Sequence, residues 1–260
     1  MFPLSSRFWW FTVSILVLAF GGGTSYALGN TAEESVGDLW IDILIGPPLV
    51  QPFNEIARKA DIAHVDRPEQ LSQLDNITPA QKMLIFRSAA EAEERLPELA
   101  NQIDVLGYNL EHGPGTPAAE QADPITAIQK MRVLADEYGL ALALGPDHDF
   151  ALSHGVAMAL YVDYFVLQIQ RRQTEPPVVN DFVSTLVPDL RAANDELQIS
   201  VQVRTEGDMG DIVKLLEDLL PYIDGVSILT SPDTVNVAAD LLDRLRRHLH
   251  FVPLIMSHGA

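Results

Sequence analysis

The chain has 260 residues, 47% of them apolar, and a formal charge of −19; that length and apolar content suffice for one large domain or two small ones. So negative a charge excludes binding to nucleic acid backbones or anionic lipid surfaces through bulk electrostatics, and favours a neutral or cationic small ligand. The chain contains no cysteine, which excludes disulfides, thiolate metal sites, cysteine nucleophiles and a lipid-modified N-terminal cysteine.

The first 27 residues read as an export signal. Arg7 is followed by an apolar run over residues 8–20, a break at Gly21-Gly22-Gly23, and the small-residue pattern Ser25-Tyr26-Ala27. The run is short against the roughly 20 apolar residues of a membrane span. Residues 1–27 are expected to be a cleaved signal peptide or an uncleaved anchor, and an anchor is the only membrane contact expected. Either form places the folded part outside the cytoplasm: secreted, periplasmic or at the cell surface. Residues 28–38 read as a polar linker, and residues 39–260 as the folded domain.

From there short apolar runs alternate with helical patterns. Residues 39–46 fit a first strand stopped by Pro47-Pro48, residues 53–60 a short helix, and residues 62–65 a second strand. Residues 69–76 read as loop. Thr78-Pro79 with Gln81 has capping-box spacing, which predicts a helical turn at 79–82 before a third strand at 83–86. Ser88 suits the N-cap of an acidic helix over 89–102, kinked or split at Pro97. The fourth strand covers 103–109. Asp123-Pro124 begins a helix to Tyr138 that Gly139 ends. Strands follow at 140–144, 164–169, 199–203 and 225–229, and helices at 150–160, from Asn180-Asp181 to Asn194, at 208–220, and from Asp233 or Thr234 to about His248. Residues 251–256 form an apolar tail.

Eight strand-like runs, each followed by a helix or turn, predict an α/β protein of the (β/α)8 barrel type. An open doubly wound sheet would carry a glycine-rich phosphate loop after its first strand, and Ile45-Gly46-Pro47-Pro48 is unlike one. No cofactor motif is present and none is expected. In a barrel the residues just after each strand form the active face. Here they are His64, Asp66 and Arg67; Arg87; Asn109, Glu111 and His112; Asp147, His148 and Asp149; Gln168 and Gln170; Arg204 and Glu206; and Thr230 and Ser231. This mixed polar rim suits a small hydroxyl-rich molecule or a glycan.

Glu111 leads this set because it leaves the fourth strand two residues past Asn109, so both side chains share one side. The stretch Asp104-Val105-Leu106-Gly107-Tyr108-Asn109-Leu110-Glu111 resembles the D-x-x-D-x-D-x-E strand of family 18, chitinase-like glycosidases, with Asp104 and Glu111 at its outer positions. Gly107 and Asn109 stand where the family has aspartates. The resemblance implies a barrel that cleaves a glycosidic bond, with Glu111 as general acid/base. Two-carboxylate chemistry would then need Glu206, or else Asp147, as nucleophile or base. Asn109, His112, His148, Arg87, Gln168, Gln170 and Arg204 complete the expected substrate-binding set. Two other readings stand beside it: a non-catalytic carbohydrate-binding or cell-surface barrel, and a metal-dependent barrel enzyme using His64, Asp66, Glu111, His112, Asp147, His148 and Asp149.

Overall fold

Runs of aliphatic and β-branched residues favour strands buried on both faces, and each such run must be covered by an amphipathic helix. The computed structural model, which describes residues 39–248, realises this pattern eight times. Its strands are β1 (Trp40–Leu44), β2 (Ile62–Val65), β3 (Gln81–Phe86), β4 (Val105–Leu110), β5 (Ala141–Pro146), β6 (Tyr164–Gln168), β7 (Gln198–Arg204) and β8 (Gly225–Leu229). The helices are α1 (Val50–Ile56), α2 (Ala89–Leu99), α3 (Ala118–Ala122), α4 (Pro124–Tyr138), α5 (His148–Ala159), α6 (Pro176–Ala193), α7 (Met209–Leu219) and α8 (Val235–His248). All neighbouring strands are parallel, and β1 pairs with both β2 and β8, so the sheet closes as a (β/α)8 barrel. The expected export signal, the linker and the 251–256 tail lie outside the described residues. Among the described residues no helix is long and apolar enough to cross a membrane.

The helix starts follow local chemistry. Ser88 accepts from the N–H groups of Ala90 and Glu91, Asp123 from Thr126, and Asp208 from Gly210 and Asp211. Gly139 ends α4 in the left-handed region at φ 67°. Other boundaries differ from expectation. The strand–helix competition at Thr78-Pro79 goes to the strand: Gln81 N–H donates to the Asp61 carbonyl and Lys82 N–H to Asp104 Oδ2. Residues 81 and 82, expected in a helical turn, therefore begin β3. Helix α6 starts at Pro176 rather than at Asn180-Asp181, because proline fits the first helical turn, where its missing N–H costs nothing. Helix α3, in the loop after β4, was not expected.

Two apolar regions result. Outward side chains such as Ile41, Leu106, Tyr108 and Phe165 pack under the helices, while Trp40, Ile62, Met83, Val105 and Ala143 fill the barrel interior. Trp40 pairs with Gly225 across the closing β1–β8 ladder, and a Cβ on Gly225 would lie 2.4 Å from the indole. Such overpacking costs typically about 1–3 kcal/mol. Gly225→Ala is expected to lose stability in that range, as read by urea denaturation; an unchanged midpoint would show that the indole relaxes freely.

Candidate active site

Side chains alternate along each strand, so one set points into the barrel. Toward the N-terminal end this set is the apolar Trp40–Ile62–Met83–Val105–Ala143 cluster. Toward the C-terminal end it turns small and polar: Asp42, His64, Gly107, Asn109, Gly145, Gln168, Gln202 and Ser227. A cavity of about 200 Å³ opens there, lined by these residues apart from Ser227, by Asp66, Arg87, Glu111 and Gln170, and by the apolar Leu44, Ile85, Val166 and Leu229.

One wall is a buried hydrogen-bonded chain. Asp42 and His64 are 2% and 1% exposed, a depth at which a carboxylate needs partners. His64 Nδ1 lies 2.5 Å from Asp42 Oδ1, and Ser227 Oγ donates to Asp42 Oδ2 at 2.6 Å. Gln202 Nε2 extends the chain to Ser227 Oγ at 3.4 Å. Strand register makes this possible, since Asp42 pairs with Ser227 across the seam and with Ile62 on the other side, two residues from His64. In the tautomer whose Nδ1–H donates to Asp42, the imidazole carries its basic lone pair on Nε2, the arrangement of a general base held by a carboxylate.

The other wall is built on β4 and β6. Glu111 Oε1 accepts from Asn109 Nδ2 at 3.1 Å and from Gln168 Nε2 at 3.0 Å. Gln168 Nε2 also lies 2.9 Å from Asn109 Oδ1 and 3.0 Å from the Gly145 carbonyl, and Gln170 Nε2 donates to Gln168 Oε1. At the mouth, Arg87 Nη2 and Arg67 Nε lie 3.6 and 3.5 Å from Asp66. These separations exceed the usual ~2.7–2.9 Å of a charge-assisted hydrogen bond.

The loop after β4 is fastened from both ends. Glu111 N–H donates to Thr116 Oγ1, and Gln121 Nε2 to the carbonyls of Gly113 and Thr116. Glu120 accepts from Tyr108 Oη at 2.7 Å, from the Ala89 N–H with both carboxylate oxygens, and from Ser88 Oγ. Burial, together with that hydrogen bond and the Glu120 charge, pushes the Tyr108 phenol far above its ordinary range.

The expected site residues thus divide. Glu111, Asn109, Arg87, Gln168 and Gln170 line the cavity together with His64 and Asp66. Glu206, expected as the partner of Glu111, lies in a separate recess with Asp208, Asp211 and Lys214. Asp147, the alternative partner, caps α5 through Phe150 N–H at 3.0 Å and accepts from His112 N–H and Nδ1, each at 2.7 Å. His112 stacks on Phe150 at 4.0 Å, and His148 packs against Phe182. Arg204 is exposed at the end of β7. No second carboxylate from the expected pair therefore joins Glu111. Among the described residues no group of three or more histidine and acidic side chains is placed to hold a metal ion, so the expected seven-residue metal set does not converge. Asp42, Ser227 and Gln202 were not anticipated; a carboxylate inside the apolar run of residues 39–45 was the available signal.

The chain matches no family model and no curated protein sequence. It is similar to solved barrels at low identity. A citrate lyase from Burkholderia xenovorans superposes with a TM-score of 0.53 at 11% identity, over 80% of this chain and 78% of that one. A phospho-2-dehydro-3-deoxyheptonate aldolase from Thermotoga maritima gives 0.52 at 12%, over 80% and 68%. A fructose-bisphosphate aldolase from Slackia heliotrinireducens gives 0.50 at 15%, over 82% and 79%. These likenesses establish the fold.

The resemblance to family 18 glycosidases, and with it the glycosidic reaction, is corrected on two counts. The three barrels just named, and one further match, are described as aldolases and a lyase, not as glycosidases or hydrolases. In addition, a Cβ at Gly107 would lie 2.7 Å from Ile85 Cγ1 and 3.1 Å from Ile85 Cα, so the place of the family's first inner aspartate has no room for a side chain. The carbohydrate-binding alternative leaned on the same motif and falls with it.

Burial pushes the Asp147 carboxyl upward, but the hydrogen bonds from the backbone N–H groups of His112 and Phe150 and from the His112 ring outweigh it and hold the group below its ordinary range. A lowered folded value means that its stabilisation is present above the unfolded pKa of about 3.9 and is lost as pH falls through the folded one. Asp147→Ala is therefore expected to cost about 0.5–2 kcal/mol at neutral pH, the range for a lost N-cap, with the deficit narrowing below about pH 4. Urea denaturation across that pH range checks the sign.

Proposed function

We propose that the chain is an acid–base barrel enzyme of the carbon–carbon lyase type, acting on a small carbonyl compound. The observation that carries this reading is the buried Asp42–His64 pair, tied to Ser227 and lining the same cavity as Glu111. A carboxylate-oriented imidazole is suited to moving a proton to and from carbon or oxygen. The matching barrels described as aldolases and as a citrate lyase add support at the level of reaction class; fold likeness alone leaves the chemistry to the site residues.

In the bond-forming direction, His64 Nε2 removes a proton from the carbon beside the substrate carbonyl. The C–H electron pair becomes the enolate double bond, and the carbonyl oxygen takes the charge. The enolate oxygen's pair then re-forms the carbonyl as the enolate carbon adds to an aldehyde, forming the C–C bond. The new alkoxide takes back the proton that His64 Nε2 had removed, which returns the imidazole to its neutral form. Arg87 at the mouth and the Gln202 amide are donors that line the cavity with His64. Glu111, held by Asn109 and Gln168, orients substrate hydroxyls. An imine route has no candidate: Lys59 and Lys82 stand outside the lining, Lys130 pairs with Glu93, and Lys214 pairs with Asp218.

The first half of this reaction is measurable without knowing the acceptor. Dihydroxyacetone in deuterated buffer is expected to exchange its protons beside the carbonyl in the presence of the protein, followed by NMR. His64→Gln should slow that exchange by about 10²–10⁴-fold, the usual worth of a positioned base. Exchange at the full rate in that variant would overturn the assignment.

A further inference from the structure

We infer that the cavity selects an uncharged, unphosphorylated hydroxycarbonyl compound and turns anions away, an inference that rests on the lyase reading above and concerns its substrate. Three independent features point there. The first is charge. Asp42, Asp66 and Glu111 line the cavity against one arginine, Arg87, whose guanidinium already faces Asp66. In a recess of reduced dielectric an incoming carboxylate meets three carboxylates against that one guanidinium at the mouth, so the lining as a whole repels it.

The second feature is the state of the helix N-termini around the rim. Barrels commonly seat a substrate phosphate at such ends, where unpaired N–H groups and the helix dipole favour an anion. At α2, α5 and α7 those donors are held by the protein's own side chains, and α6, which has no side-chain cap, opens on Pro176-Pro177, which have no N–H to offer. The Ala89 N–H goes to Glu120, the Phe150 N–H to Asp147, and the Gly210 and Asp211 N–H groups to Asp208. Ser231 and Thr234 close the turn before α8 in a capping box. Three of these caps are carboxylates, so a phosphate would meet negative charge at the N-termini of α2, α5 and α7.

The third feature is what the cavity offers a ligand. Gln170 Oε1 is buried without a hydrogen-bond partner, and Glu111 is an acceptor. Acceptors of this kind call for hydroxyl donors. The volume of about 200 Å³ leaves room for a hydroxycarbonyl compound the size of a triose.

Binding to the full chain, measured by titration calorimetry with three probes of matched size, tests the selection. Dihydroxyacetone is expected to bind saturably, with glycerate and dihydroxyacetone phosphate at least tenfold weaker. Glu111→Gln should raise the affinity for glycerate relative to dihydroxyacetone by about tenfold, and circular dichroism confirms that the variant is folded. Equal or tighter binding of either anion overturns the inference, as does an absence of dihydroxyacetone binding. Saturable dihydroxyacetone binding without deuterium exchange supports the selection and overturns the lyase reading alone.

Discussion

The barrel closes between its first and last strands, and one buried carboxylate lies on that seam. Asp42 reaches Ser227 on β8 and His64 on β2, so three successive strands of the closed sheet meet at a single side chain. A charge at that depth would be costly if unpaired, and the Ser227 hydroxyl and the imidazole N–H offset the cost. The same pairing fixes the imidazole. Closure of the fold and orientation of the base are therefore one arrangement: a slip of register at the seam would turn Asp42 outward and leave His64 without its acceptor.

Below this layer the interior is filled by large apolar groups, and the space above it exists because small residues stand opposite them. Gly225 admits the Trp40 indole, and Gly107 admits Ile85. The cavity is thus bounded beneath by the Trp40 layer and at the side by the carboxamide chain from Asn109 to Gln170. At the opposite end of the barrel a second buried acid, Asp61, accepts from the N–H groups of Ile41 and Arg58 and pairs with Arg246 of α8, which also reaches the Leu39 carbonyl. The last helix is in this way tied to the first strand, and the seam is held from below as well as across.

Most of the fold was legible because its signals are local. Ser88, Asp123 and Asp208 announce helix starts by side-chain chemistry that needs no partner elsewhere, and Gly139 announces a stop. The third strand was obscured at its start for the complementary reason. Thr78, Pro79 and Gln81 spell a helix cap, and only the Asp61 carbonyl and the Asp104 carboxylate, both distant in sequence, draw residues 81 and 82 into the sheet. The site divides along the same line. Asn109, Glu111, Gln168 and Gln170 could be read as polar residues at strand ends. Asp42 could not, because its role depends on a register with Ser227 that is 185 residues away. Gly107 was read as a lost aspartate when close contact with Ile85 is what keeps it a glycine.

The carboxylates show how one residue type serves three purposes in an acidic chain. Glu120, Asp147 and Asp208 complete helix N-termini, where the dipole favours their charge. Asp42 orients a base, and Glu111 faces the ligand space. Because the N-termini of α2, α5 and α7 are already occupied by carboxylates, the excess of negative charge is structural at the rim as well as chemical in the cavity. The −19 charge therefore bears on substrate choice through where its carboxylates sit rather than through their number. A barrel of the same shape with arginine or free N–H groups at those helix ends would favour the opposite class of ligand.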